Sequence, residues 1–116
     1  MRVASLRWKL SPESVRETPD LQGVYSLWDK ADCVYIGHTP WNLSLRDRLR
    51  ELLVLQQDGA IEASHFTWET TPTPKTREAE LISLWTEKSG KLPRYNHGDS
   101  PMPQAKGCVT DLRAKA

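Results

Sequence analysis

The sequence predicts a small α+β domain, with helices laid against a short and largely antiparallel sheet. Three features carry this. Two strand-like runs, GVYSLWD at 23–29 and CVYIGHT at 33–39, flank a polar connection of hairpin length. Two later stretches place apolar residues at helical spacing. A third strand-like run, SHFTWET, lies between those helices, so the order is hairpin, helix, strand, helix.

The elements follow in chain order. RVASLRWKL alternates loosely and suits an edge strand. SPESVRET reads as a short helix, with Ser11 as N-cap and Pro12 at its first position, and TPDLQ breaks it. After the hairpin, PW interrupts the chain. NLSLRDRLRELLVLQQ is then the clearest helix, its stripe centred on Leu45, Leu49 and Leu52 and widened by Leu53 and Leu55. Asp58-Gly59 ends it. TPTP is a rigid connector, and Thr73-Pro74 or Thr76 opens a second helix, KTREAELISLWTEKSG, that Gly90 closes. KLPRYN is an extended exit. The organisation expected is an N-terminal strand and helix over 1–19, one domain over 20–96, and a polar, mobile tail over 97–116.

Composition narrows the function classes. At 116 residues, 38% hydrophobic and with five tryptophans, the chain supports one packed core. No run approaches the ~18 apolar residues of a membrane span, and the first residues lack the apolar stretch of a signal peptide. A cytoplasmic protein without membrane contact is expected. Cys33 and Cys108 lie far apart with no Cys-x-x-Cys, and His38, His65 and His97 are scattered, so neither a disulfide framework nor a zinc knuckle is signalled. The formal charge is +1. Any nucleic-acid role must therefore rest on a few well-placed groups rather than on bulk positive charge.

Four residues stand out by position. Tyr25 and Tyr35 share a sheet face if the hairpin pairs residues whose numbers sum to 60, and opposite faces if the sum is 61. A loop with an odd residue count, or a bulge, gives the first arrangement; cross-strand packing alone would also explain such a pair. On the second helix, Glu78 falls within the stripe of Leu81, Ile82 and Trp85, whereas Glu80 points away. A carboxylate on the core side is costly unless it is paired, hydrogen-bonded or bound to a metal, although a wet first-turn glutamate favoured by the helix dipole fits the same phase. On the first helix, Arg48 and Arg46 border the apolar stripe on either side, and Arg50 lies in solvent. A border arginine lays its stem on apolar surface and carries its guanidinium into a neighbouring cleft. Two tyrosines, an arginine and an inward glutamate suit phosphodiester chemistry. The guanidinium binds the phosphate, the carboxylate holds a hydrated Mg²⁺, and a phenol handles a proton.

The motifs that carry these residues resemble the GIY-YIG nuclease family. GVY is followed ten residues later by YIG, with Val24 as a mild variant. LRDRL resembles the family's helix segment and maps its arginine to Arg48. REAELI maps the motif glutamate to Glu78, and LPRYN maps the closing asparagine to Asn96. The resemblance covers residues 20–96, about two-thirds of the chain, with five short motifs in order.

It implies a three-stranded antiparallel sheet flanked by helices, with both tyrosines on one concave face, hence an even sum and a pair facing Glu78. It also implies a Mg²⁺-dependent DNA endonuclease, Mn²⁺ being a substitute. The implied roles are Tyr25 or Tyr35 as proton acceptor, Arg48 as phosphate clamp, Glu78 as single metal ligand and Asn96 as support. Departures exist. The interval from Gly37 to Arg48, which carries HTPWNLSL, is longer than in many members and leaves Arg46 as a competitor, although only Arg48 has leucine next. A histidine that some members place one turn after the arginine is Leu52 here. His38, after the glycine, is either an assistant to the phenol or a hydrogen-bonded surface residue. Trp41 is either packing or a base-stacking ring. The expected partner is DNA, structured or weakly selected by sequence. No helix-turn-helix, zinc finger or basic arm is present, so the chain is either a stand-alone, structure-selective enzyme or one that borrows targeting from a protein partner. The alternative is a non-catalytic nucleic-acid or protein interaction module on the same fold.

Overall fold

The structure is a computed structural model, and it describes residues 7–97 and 100–101. In order, the elements are β1 (Trp8–Lys9), α1 (Pro12–Arg16), β2 (Gly23–Asp29), β3 (Asp32–His38), α2 (Leu45–Gln57), β4 (His65–Thr70), α3 (Pro74–Ser89), β5 (Asn96–His97) and β6 (Ser100–Pro101). The main sheet is antiparallel, ordered β1-β4-β2-β3, and β5 pairs with β6 separately. The sheet has four strands rather than the three expected. The fourth is β1, which covers the outer edge of β4 and stacks Trp8 on Trp68 with ring centroids 5.7 Å apart. The expectation of a mobile tail falls, beyond residue 101, outside the described residues.

Local chemistry explains the elements. Ser44 caps α2 by accepting from the Asp47 backbone N–H, and the Asp47 side chain accepts in return from the Ser44 backbone N–H. Leu45, Leu49 and Leu52 are fully buried along its stripe. Pro74 opens α3, and Gly90 closes it in the left-handed conformation at φ 85°.

The sheet is sandwiched. On one face, α2 packs Leu45, Leu49, Leu52 and Leu55 against Tyr25, Leu27, Val34 and Phe66. Leu10 and Val15 join this core, so the segment around β1 and α1 is built into the same domain. On the other face, Leu81, Ile82 and Trp85 of α3 pack on Trp28, Cys33 and Ile36. Below that layer Ser26 and Thr67 hydrogen-bond each other, and Trp28 Nε1 donates to Ser26 Oγ at 2.8 Å.

One irregularity sets the hairpin. Asp29 pairs with Asp32 and Trp28 with Cys33, both summing to 61, but Leu27 pairs with Tyr35 and Tyr25 with Gly37, both summing to 62. Val34 is the extra residue, a bulge on β3. It sends Cys33 to the α3 side while Val34 and Tyr35 both face α2. The parity that brings the tyrosines to one face is thus present, but Tyr25 lies diagonal to Tyr35 and directly opposite Gly37. No helix among the described residues is long and apolar enough to cross a membrane.

Candidate active site

Two glycines let the site close. A Cβ at Gly37 would lie 2.6 Å from the Tyr25 hydroxyl oxygen and 2.7 Å from Cε2 of Tyr35, so both rings lie across a position that only hydrogen can occupy. A Cβ at Gly23 would lie 2.2 Å from the Glu69 carbonyl oxygen and 2.9 Å from Leu45, where the sheet meets α2. With Gly37 bare, the tyrosine ring centroids approach to 6.0 Å at an interplanar angle of 44°. Tyr25 is buried and Tyr35 half-buried.

Arg48 completes this group. Its Nε donates to the Tyr25 hydroxyl at 3.0 Å, and its Nη1 donates to Glu51 Oε1 at 2.7 Å. Both side chains of the Arg48–Glu51 pair are largely buried, 15% and 11% exposed. Burial alone would lower the guanidinium's pKa. Contact with Tyr25, Glu51 and Tyr35 outweighs it and raises the value, so Arg48 is charged throughout the accessible range. Burial pushes the Tyr25 phenol well above its ordinary value, and the neighbouring Arg48 charge opposes this only in part. Arg46 does not compete for the position. Its Nε donates to the Thr18 carbonyl at 3.0 Å and ties α2 to the end of α1. Arg50 faces solvent beside Asp47.

Glu78 and His38 form a second group. The His38 Nδ1 lies 3.0 Å from Glu78 Oε1, and the side chains are 34% and 21% exposed. That nitrogen is buried and takes no aligned hydrogen bond despite the short distance. Glu78 is turned inward, whereas Glu80, 56% exposed, pairs outward with Arg77. His38 is opposite Val24, so by strand alternation its side chain leaves the sheet on the α3 side, away from the tyrosines. The expected arrangement of both tyrosines facing Glu78 is therefore replaced by two groups. Tyr25, Tyr35 and Arg48 lie on the α2 side of the end of β3, and Glu78 with His38 on the α3 side, with Gly37 between them.

Asn96 braces the strand that separates them. Its Oδ1 accepts from the Ile36 N–H and its Nδ2 donates to the Ile36 carbonyl, both at 2.9 Å. The Tyr95 N–H adds a bond of 2.8 Å to the Val34 carbonyl beside the bulge. The free edge of β3 is thus satisfied by a side chain acting as a short strand.

A single inward carboxylate that keeps solvent access fits a hydrated Mg²⁺ or Mn²⁺. Such ions take one or two carboxylate oxygens and keep water for the rest. The sequence reading missed Glu51 and the role of Gly37. The first has a local signal, an acidic residue three positions after Arg48 on one helix. The second is visible only once the register is known. Comparison of the chain with protein-family models, with curated proteins and with solved structures finds no match.

Proposed function

We propose that the chain is a Mg²⁺-dependent endonuclease that hydrolyses DNA phosphodiester bonds at the end of β3. The observation that carries this reading is Arg48. A buried guanidinium is held between a tyrosine hydroxyl and a carboxylate, beside a second tyrosine and next to the one bare position of the strand. Phosphate binding by such a fixed fork stabilises the charge that builds on the phosphoryl oxygens in the transition state.

The residues divide the work. Arg48 clamps the scissile phosphate at the end of β3. Tyr35, the half-buried member of the tyrosine pair, meets the attacking water and relays its proton, accepting it on the phenol oxygen as its own hydroxyl proton passes to solvent. The new phosphorus–oxygen bond forms as the bond to the leaving oxygen breaks, and the leaving oxygen takes a proton from water. Tyr25 lies behind it and fixes the guanidinium. Glu78 would hold the metal, and Mg²⁺ when bound there would supply neutralisation of the charge that develops in phosphodiester cleavage. His38 lies beside the Glu78 carboxylate, and Asn96 keeps β3 in register. With a formal charge of +1, targeting falls to DNA structure or to a protein partner.

A second reading, a non-catalytic nucleic-acid or protein interaction module, is favoured by one observation: His38 already engages Glu78. The two readings separate by assaying cleavage of branched, flapped and plain duplex DNA with Mg²⁺ or Mn²⁺. Wild type cuts at least one of them and Glu78→Ala does not, with the melting temperature nearly unchanged because a part-exposed ion pair contributes at most ~1 kcal/mol. Binding without Glu78-dependent cutting on every substrate selects the second reading.

A further inference from the structure

Four of the five tryptophans are engaged within the fold. Trp8 stacks on Trp68, and Trp28 meets Trp85 edge-on with centroids 5.4 Å apart. Trp41 is different, since it is 82% exposed. Its exposure does not come from a loose loop. Trp41 and Asn42 are the central residues of a turn closed by the Leu43 N–H donating to the Pro40 carbonyl at 3.2 Å. Gln22 Nε2 clamps that turn from below, donating to the carbonyls of Pro40 at 2.7 Å and Leu43 at 2.8 Å. On its two sides the turn is anchored by the Thr39 N–H on the Gly23 carbonyl and by the Leu45 N–H on the Leu21 carbonyl. The largest side chain of the alphabet is therefore held out in water by a rigid backbone, where it forgoes burial.

The position of the turn points to an occupant. It joins the end of β3 to the N-cap of α2, the two elements that carry the proposed cleft. Only Thr39 and Pro40 separate Trp41 from His38, so their Cα atoms, three peptide steps apart, are within about 11 Å. That is roughly three nucleotide steps along a strand. The chain lacks the positive charge to hold DNA by counterion release alone, and a ring that stacks on any base adds affinity without sequence preference. A base inside a duplex is already stacked and offers it nothing.

We propose that Trp41 is a stacking platform for one unpaired base within three nucleotides of the scissile phosphate, so that the substrate is DNA with a single-stranded portion beside the cut, such as a flap. The placement of the cut rests on the nuclease reading above; the stacking itself does not.

The test uses the full chain without divalent metal, and fluorescein-labelled duplex DNA with and without a single-stranded flap. Anisotropy gives Kd for wild type, Trp41→Phe and Trp41→Ala. Trp41→Ala should weaken flap binding about tenfold and duplex binding by less than about twofold, with Trp41→Phe close to wild type. 2-Aminopurine moved along the flap should be quenched at one position by wild type and Trp41→Phe but not by Trp41→Ala. Equal flap affinity for Trp41→Ala and wild type, or equal losses on flap and duplex, overturns the proposal. Trp41-dependent flap binding in a protein that shows no Glu78-dependent cutting keeps the stacking site and discards the nuclease reading.

Discussion

Gly37→Ala tests whether the tyrosine pair is built around a missing side chain. The new Cβ would sit 2.6 Å from the Tyr25 hydroxyl, 2.8 Å from Tyr25 Cζ and 2.7 Å from Tyr35 Cε2, whereas carbon atoms in contact rest at about 3.5–4.0 Å. An overlap near 1 Å on two rings at once has to be relieved. Tyr25 cannot retreat, since it is buried among the leucines of α2, so the strain falls on both rings and on the Arg48 bond that depends on them. Overpacking of this kind costs about 1–3 kcal/mol. At roughly 4 °C per kcal/mol for a domain of this size, the melting temperature should fall by about 4–12 °C. Near-UV circular dichroism should change with it, and cutting should be lost even well below the melting point. Gly59→Ala is the control. Its φ of 79° strains an alanine by about 1–2 kcal/mol, but nothing lies within 4 Å of the new methyl, so stability falls while the tyrosine signal and cutting persist. A Gly37→Ala protein that melts within a degree of wild type, with an unchanged near-UV spectrum, would refute the packing argument.

Two further outcomes are expected. Asn96→Ala removes both bonds to Ile36 and should cost about 1–3 kcal/mol in urea unfolding; Asn96→Asp keeps the acceptor and should fall between it and wild type. In alkali, Cys33, pushed up by burial to about 12, and Tyr25, raised by burial, both hold protons that the unfolded chain releases from ordinary values of 9.0 and 10.0. Stability should therefore be constant below about pH 9 and decline above it, and Cys33→Ala should move the onset towards pH 10; urea midpoints from pH 8 to 11 that show no such move would contradict it.

What was legible in the sequence was whatever local chemistry writes out. Ser11 and Pro12 open α1 and Gly90 closes α3 where read, the leucine stripe of α2 is buried as its period requires, and Glu78 and Glu80 part company by helical phase alone. What was not legible depended on pairing between distant segments. Nothing in GVYSLWDKADCVYIGHT states which strand residue bulges, so the offset of the tyrosines and the need for glycine opposite Tyr25 were hidden. Arg46 and Arg48 look equivalent at the borders of one stripe. They are told apart only by what faces each border, a carbonyl at the end of α1 or a phenol on β2. The same holds for Glu78, whose turn inward was readable but whose meeting with His38 required knowing which face His38 leaves.

The bulge at Val34 places a length rule on the hairpin. A two-residue turn with regular pairing would put residues ten apart on opposite faces, and the extra residue restores the shared face. Deleting one strand residue elsewhere between the two tyrosines would turn one ring towards α3. Deleting Val34 itself would convert the bulge to a plain ladder and leave both rings beside Arg48, at the loss of a fully buried valine. Insertions and deletions in this hairpin are thus expected to come in pairs, with that one position as the exception.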